Sequence, residues 1–142
     1  MFAKQLTVFL ENRTGRLSEA LNILKMNDVN ILSLSLADTT EFGLLRLIVD
    51  QPEVGKSKLR ENGFSSLLSD VLIVKIPHQA GSLQKLLEEI DGDGVNIEYM
   101  YGLSVGAENA YIVMKPSDAV RVHEILAEQN VEAVSSEEIA NR

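Results

Sequence analysis

A strand-to-helix turn is written twice in this chain. The first copy reads Asn12-Arg13-Thr14-Gly15-Arg16-Leu17 and is followed by Val29-Asn30-Ile31. The second reads His78-Gln79-Ala80-Gly81-Ser82-Leu83 and is followed by Val95-Asn96-Ile97. Gly15 and Gly81, Leu17 and Leu83, Asn30 and Asn96 each stand 66 residues apart. A fixed-period repeat constrains a fold more than any local pattern, because each copy must build the same supersecondary unit. For a chain of 142 residues, it predicts two small domains, residues 1–69 and 70–142, with only Ser69-Asp70 as the join.

The periodicity around the turn gives the unit its element order. Leu6, Val8 and Leu10 alternate with Thr7 and Phe9, which predicts a strand over residues 4–10. Leu17, Ala20, Leu21 and Leu24 have helical spacing, with Thr14 as N-cap and Asn27-Asp28 as the stop. Residues 31–37 alternate again, with Leu32, Leu34 and Leu36 against Ser33 and Ser35. After a hairpin loop, residues 44–49 form a strand whose inward set is Leu45, Leu47 and Val49. Pro52 opens a second helix carrying Val54 and Leu59, and residues 64–68 close the unit as a strand.

The second repeat gives strands over 71–76, 97–103, 110–115 and 131–135. Leu83, Leu86, Leu87 and Ile90 define its first helix, and Pro116-Ser117 starts its last. Residues 136–142 are polar and predicted to fray. Strand, helix, strand, strand, helix, strand is the ferredoxin-like βαββαβ order. The expected fold class is α+β: two such units, each an antiparallel four-stranded sheet with helices on one face, with scope for the sheets to join into eight strands.

Composition narrows the partners. Hydrophobic residues make up 45% of the chain, enough for a core, and the net charge is −8. That charge disfavours nucleic acid and anionic membranes, which need clustered Lys and Arg. There is no cysteine, so neither a disulfide framework nor a thiolate metal site is expected. The N-terminal residues lack a signal-peptide layout, and no apolar run approaches membrane length. A cytoplasmic protein without cofactor or metal is expected.

The repeated turn is the candidate site. A helix start leaves backbone N–H groups without intrahelical partners, and the helix dipole adds partial positive charge there. Such an end accepts a carboxylate or phosphate. Gly15 keeps side-chain bulk away from the main chain, and Asn12 and Asn30 offer donors and acceptors. An α-amino acid needs both. The competing reading is that Gly merely makes a turn and Asn merely caps backbone groups.

These phrases resemble the ACT domain family. Leu10-Glu11-Asn12-Arg13-Thr14-Gly15-Arg16-Leu17 is similar to its first-turn motif, and Asp28-Val29-Asn30-Ile31 to its helix-to-strand signature. Ile76-Pro77-His78-Gln79-Ala80-Gly81-Ser82-Leu83 with Gly94-Val95-Asn96-Ile97 matches equally well, so the resemblance spans both repeats. It implies βαββαβ units that bind amino acids at interfaces between units and thereby regulate metabolism. The first turn is most similar to the serine-sensing regulatory domain of phosphoglycerate dehydrogenase. There, asparagines matched by Asn12 and Asn30 contact the ligand. That domain also uses a His where this chain has Leu10, and His78 stands where Asn12 does.

The resemblance implies a free-standing tandem ACT regulatory protein. It would bind an amino acid and modulate an enzyme of amino-acid biosynthesis, acting as a homo-oligomer, expected to be a dimer. The implied contacts are Asn12, Arg13, Thr14, Gly15, Arg16, Leu17, Asn30 and Ile31 in the first repeat. In the second they are His78, Gln79, Ala80, Gly81, Ser82, Leu83, Asn96 and Ile97. The alternative is a ligand-independent interaction subunit similar to the small regulatory subunit of acetolactate synthase.

No catalytic arrangement is expected. Gly102-Leu103-Ser104-Val105-Gly106 formally matches a nucleophile elbow, but that motif needs a strand-to-helix turn and here a strand follows. His78 and His123 have no metal-ligand spacing, and His123 is expected on a solvated helix surface. Tyr99 and Tyr101 stand where the first repeat has serines; the residues read as a packing surface or as the wall of a pocket.

Overall fold

The computed structural model describes residues 2–11, 13–38, 41–103 and 109–140. The chain divides into two compact units, Lys4–Ser69 and Met1–Ala3 with Asp70–Arg142.

The first unit contains β1 (Ala3–Glu11), α1 (Arg16–Met26), β2 (Ile31–Asp38), β3 (Phe42–Val49), α2 (Pro52–Glu61) and the beginning of β4 (Ser65–Pro77). Its strands are ordered β2-β3-β1-β4. β1 and β2 each pair antiparallel with β3, Leu6 opposite Leu47 and Leu36 opposite Leu45. The core joins one sheet face to both helices: Leu6, Val8, Leu10, Leu45, Leu47 and Val49 from strands, Ala20 and Leu24 from α1, Leu59 from α2. Both helices therefore lie on the same face, as the alternation predicts.

The second unit repeats the plan with the rest of β4, α3 (Ser82–Gly92), β5 (Ile97–Leu103), β6 (Asn109–Pro116), α4 (Ala119–Glu128), β7 (Glu132–Val134) and α5 (Ser136–Ala140). Its order is β5-β6-β4-β7. Leu72, Val74, Ile76, Leu86, Ile90, Met114, Val122, Ile125 and Leu126 form its core. An ionic clamp joins the end of α3 to α4 beside that core. Arg121 binds both carboxylate oxygens of Asp93, the residue that ends α3, and donates to Glu124 at 3.0 Å.

Five details differ from the sequence reading. Ser69 and Asp70, the join between the repeats, do not separate two strands but belong to the unbroken strand β4. Leu34 and Leu36 face the core side yet remain 49% and 51% exposed, because β2 ends the sheet beyond the cover of the helices. On α2 it is Gly55, not Val54, that points inward. A Cβ at Gly55 would lie 3.1 Å from Leu6 Cδ2, so the missing side chain is what lets α2 approach the sheet. Residues 136–140 form α5, held by buried Ile139. His123 is half-buried with its ring 5.9 Å from Phe2, not a solvated side chain.

Candidate ligand site

The two strand-to-helix turns are built alike. Arg13 N–H donates to the Glu11 carbonyl at 2.8 Å, and Gln79 N–H to the Pro77 carbonyl at 2.9 Å. The N-cap of each helix is the glycine, Gly15 at φ 93° and Gly81 at φ 86°. Left-handed backbone of this kind is where glycine is at ease and a Cβ is not. Thr14 is therefore not the cap that the sequence suggests. No side-chain cap bond is made at either helix start, but the first amide of each helix is already engaged: Arg16 N–H donates to the Arg13 carbonyl at 3.5 Å and Ser82 N–H to the Gln79 carbonyl at 3.2 Å.

What surrounds the turns differs. In the first repeat Arg16 folds back into the crevice beside its own helix start. Its guanidinium carbon lies 3.8 Å from the centre of the Phe64 ring. Nη1 donates to Glu19 at 2.9 Å, and Nη2 is 3.6 Å from Glu11. The side chain is only 9% exposed, and its Nε has no partner among the described residues. A mouth of about 360 Å³ remains beside it, lined by Phe9, Glu11, Glu41, Phe42 and Gly63. Arg13, Thr14 and Gly15 are exposed and Leu17 is half-buried. Asn12 lies outside the described residues.

In the second repeat the turn is flanked by clefts on both sides. One, of about 500 Å³, is lined by Gln79, Ala80, Gly81 and Ser82, with Ile76, Leu86 and Val131 behind them. The other, of about 340 Å³, is lined by His78, Gln79, Ala80 and Leu83 with Ala110 and Ile112. His78, Gln79, Ala80 and Gly81 are exposed.

Asn30, Ile31, Asn96 and Ile97 are not brought to these turns within a unit. The first turn follows Glu11, which pairs with Phe42 at the start of β3, whereas Ile31 pairs with Val49 at its end. Seven residues of extended chain separate the two levels, roughly 23 Å. The reason is elementary: α1 carries the chain back across the sheet before β2 begins. Asn30 there is tied to Asp50: its N–H donates to the Asp50 carboxylate Oδ1 at 2.8 Å, and its carbonyl accepts from Asp50 N–H at 3.1 Å. Asn96 N–H donates to the Ser117 hydroxyl at 3.1 Å in the same role. Asn30 and Ile31 instead line a separate open cleft of about 430 Å³ with Leu21, Lys25 and Asp28.

The sequence reading overlooked Glu11, Glu19 and Phe64, which hold Arg16, and Lys85, Glu89 and Gln129, which border the larger second cleft. Aligning the repeats shows one signal for them: Glu19 becomes Lys85, a reversal of charge at an equivalent helix position. Tyr99 and Tyr101 are half-buried on the sheet face away from the helices, opposite Lys115 and Val113. Ser104, Val105 and Gly106 lie outside the described residues. Among the described residues no group of three or more His, Cys, Asp or Glu side chains is placed to hold a metal ion, and no helix is long and apolar enough to cross a membrane.

Two βαββαβ units, each with a glycine at its first strand-to-helix turn, make a tandem module of the ferredoxin-like type. The chain belongs to the ACT domain pair family, which it matches over residues 1–142. A solved Bacteroides thetaiotaomicron protein is similar to it at 35% identity and TM-score 0.92, with 98% of this chain and 96% of that one covered. The ligand-free regulatory subunit of aspartate kinase from Thermus thermophilus shares the fold at 13% identity and TM-score 0.64, covering 88% of this chain and 91% of its own. The regulatory subunit of aspartate kinase from Thermus flavus does so at 13% identity and TM-score 0.60, covering 91% and 93%. No curated protein matches the chain.

Proposed function

We propose that this protein is a cytoplasmic, non-catalytic amino-acid sensor that regulates an enzyme of amino-acid biosynthesis. The observation that carries the reading is an uncapped helix start opening onto a cleft of about 500 Å³ at the Gly81 turn. The amides receive the ligand carboxylate, and polar side chains around the mouth receive its ammonium. Membership of the ACT domain pair family supports a regulatory role, and the shared fold of aspartate kinase regulatory subunits suggests the class of enzyme addressed.

Asn30 and Asn96 lie too far from the turns of their own units to complete a site there. In this reading they contribute from a neighbouring copy of the chain, and the sensor acts as a dimer. Ligand binding favours one arrangement of that dimer, and the enzyme responds to the arrangement. Isothermal titration calorimetry with each of the twenty amino acids tests the reading. At least one is expected to bind at millimolar concentration or below; a folded sample silent to all of them sinks it.

A further inference from the structure

We propose that the two repeats are unequal: the ligand occupies the second alone, in the cleft between the start of α3 and the turn joining α4 to β7, and it is an amino acid with an aliphatic side chain. The proposal rests on the sensor reading and adds to it the site, the stoichiometry and the side-chain class.

The first repeat shows what fills this position when the protein supplies the occupant. Arg16 lies over Phe64 and is held by Glu19 and Glu11. The corresponding residues in the second repeat are Ser82 for Arg16, Lys85 for Glu19 and Pro77 for Glu11. Val131 stands for Phe64: Phe64 N–H donates to the Leu59 carbonyl at 3.0 Å, and Val131 N–H to the Leu126 carbonyl at 2.8 Å, the same bond closing the same helix. A guanidinium and a phenyl ring have thus been replaced by a hydroxymethyl and an isopropyl group. The cleft of about 500 Å³ lies where they would be.

Its chemistry fits a zwitterion with an apolar tail. Ile76 and Leu86, each 4% exposed, and Val131 form the floor. Lys85 and Glu89 stand one helical turn apart at the rim, and neither has an ion pair among the described residues. Residues spaced so present their groups about 5–6 Å apart at Cβ, within reach of a carboxylate and an ammonium on one carbon. Ile76, Leu86 and Val131 offer no partner to a charged side chain, whose burial without one is costly, and the polar lining residues Gln79, Gln129 and Asn130 are exposed. The first repeat's remaining mouth is bordered by Glu11, Glu41 and Arg16, and the Arg16 guanidinium is already engaged by Glu19 and Glu11.

The test is calorimetry on the full chain with leucine, isoleucine, valine and methionine, against aspartate and lysine. An aliphatic amino acid is expected to bind at one per chain. Ser82→Arg, which restores the internal plug, is expected to weaken it at least about tenfold. Lys85→Ala alters an exposed side chain, leaves the core untouched and is expected to weaken it about tenfold as well. It decides the matter should circular dichroism show Ser82→Arg unfolded. Two ligands per chain, or unchanged affinity in Lys85→Ala, overturns the assignment to the second repeat while leaving the sensor reading intact. Binding of aspartate or lysine alone overturns the side-chain class. No heat from any amino acid overturns both.

Discussion

Arg16 and Phe64 form the most heavily buried charged contact of the first repeat, and the stack tells more than the ion pairs around it. The carboxylates that flank Arg16 are exposed, 51% for Glu19 and 66% for Glu11, so water screens them. The orphaned Nε carries a desolvation cost of about 1–3 kcal/mol. The side chain therefore contributes chiefly by filling space. Arg16→Met, which keeps the length and removes the charge, is expected to stay within about 1 kcal/mol of the parent. Phe64→Ala opens a cavity and is expected to cost about 3–5 kcal/mol. Urea denaturation midpoints measure both, and a large loss in Arg16→Met would show that the charge itself matters. The sequence could mark Arg16 as lying at the turn. It could not show that a ring 48 positions further on receives it.

At the scale of elements, the clamp between α3 and α4 carries the clearest pH dependence. Asp93 is held below the ordinary carboxylate value of 3.8, first by its hydrogen bond from Arg121 and less by that residue's charge, with desolvation opposing. A carboxylate with a depressed folded pKa stabilises the fold above its unfolded pKa, and the contribution is lost as pH falls through the folded value. Asp93→Asn is accordingly expected to flatten the fall in stability between about pH 5 and pH 2, with least effect on its slope near neutrality. Parallel pH profiles for the two proteins would refute this. The alternating sets of β1, β3 and β4 were legible in the sequence because period two on a half-buried strand leaves a clear trace. α2 was less legible: beside Leu59 its other buried residue is Gly55, and a missing side chain leaves no hydrophobic signal. α5 was missed because a single apolar residue, Ile139, holds an otherwise polar segment.

At the scale of the molecule, the proposed dimer has a surface to use. β2 ends its sheet, and Leu34 and Leu36 are half exposed along it. An unpaired edge with apolar side chains is a template for pairing. The chain is expected to sediment as a dimer, and the double substitution Leu34→Glu, Leu36→Glu to sediment as a monomer. A monomeric parent would overturn the proposed contribution of Asn30 and Asn96 from a neighbouring copy. The doubled turn and the strand periodicities, read as sequence, determined the βαββαβ order and the faces that are buried, since both depend on near neighbours along the chain. Tertiary structure alone decided that Arg16 packs into the first crevice and leaves about 360 Å³ beside it, while the second keeps about 500 Å³. Those outcomes depend on residues distant in sequence, Arg16 with Phe64 and Ser82 with Val131, and a local pattern carries no record of which side chains meet across a fold.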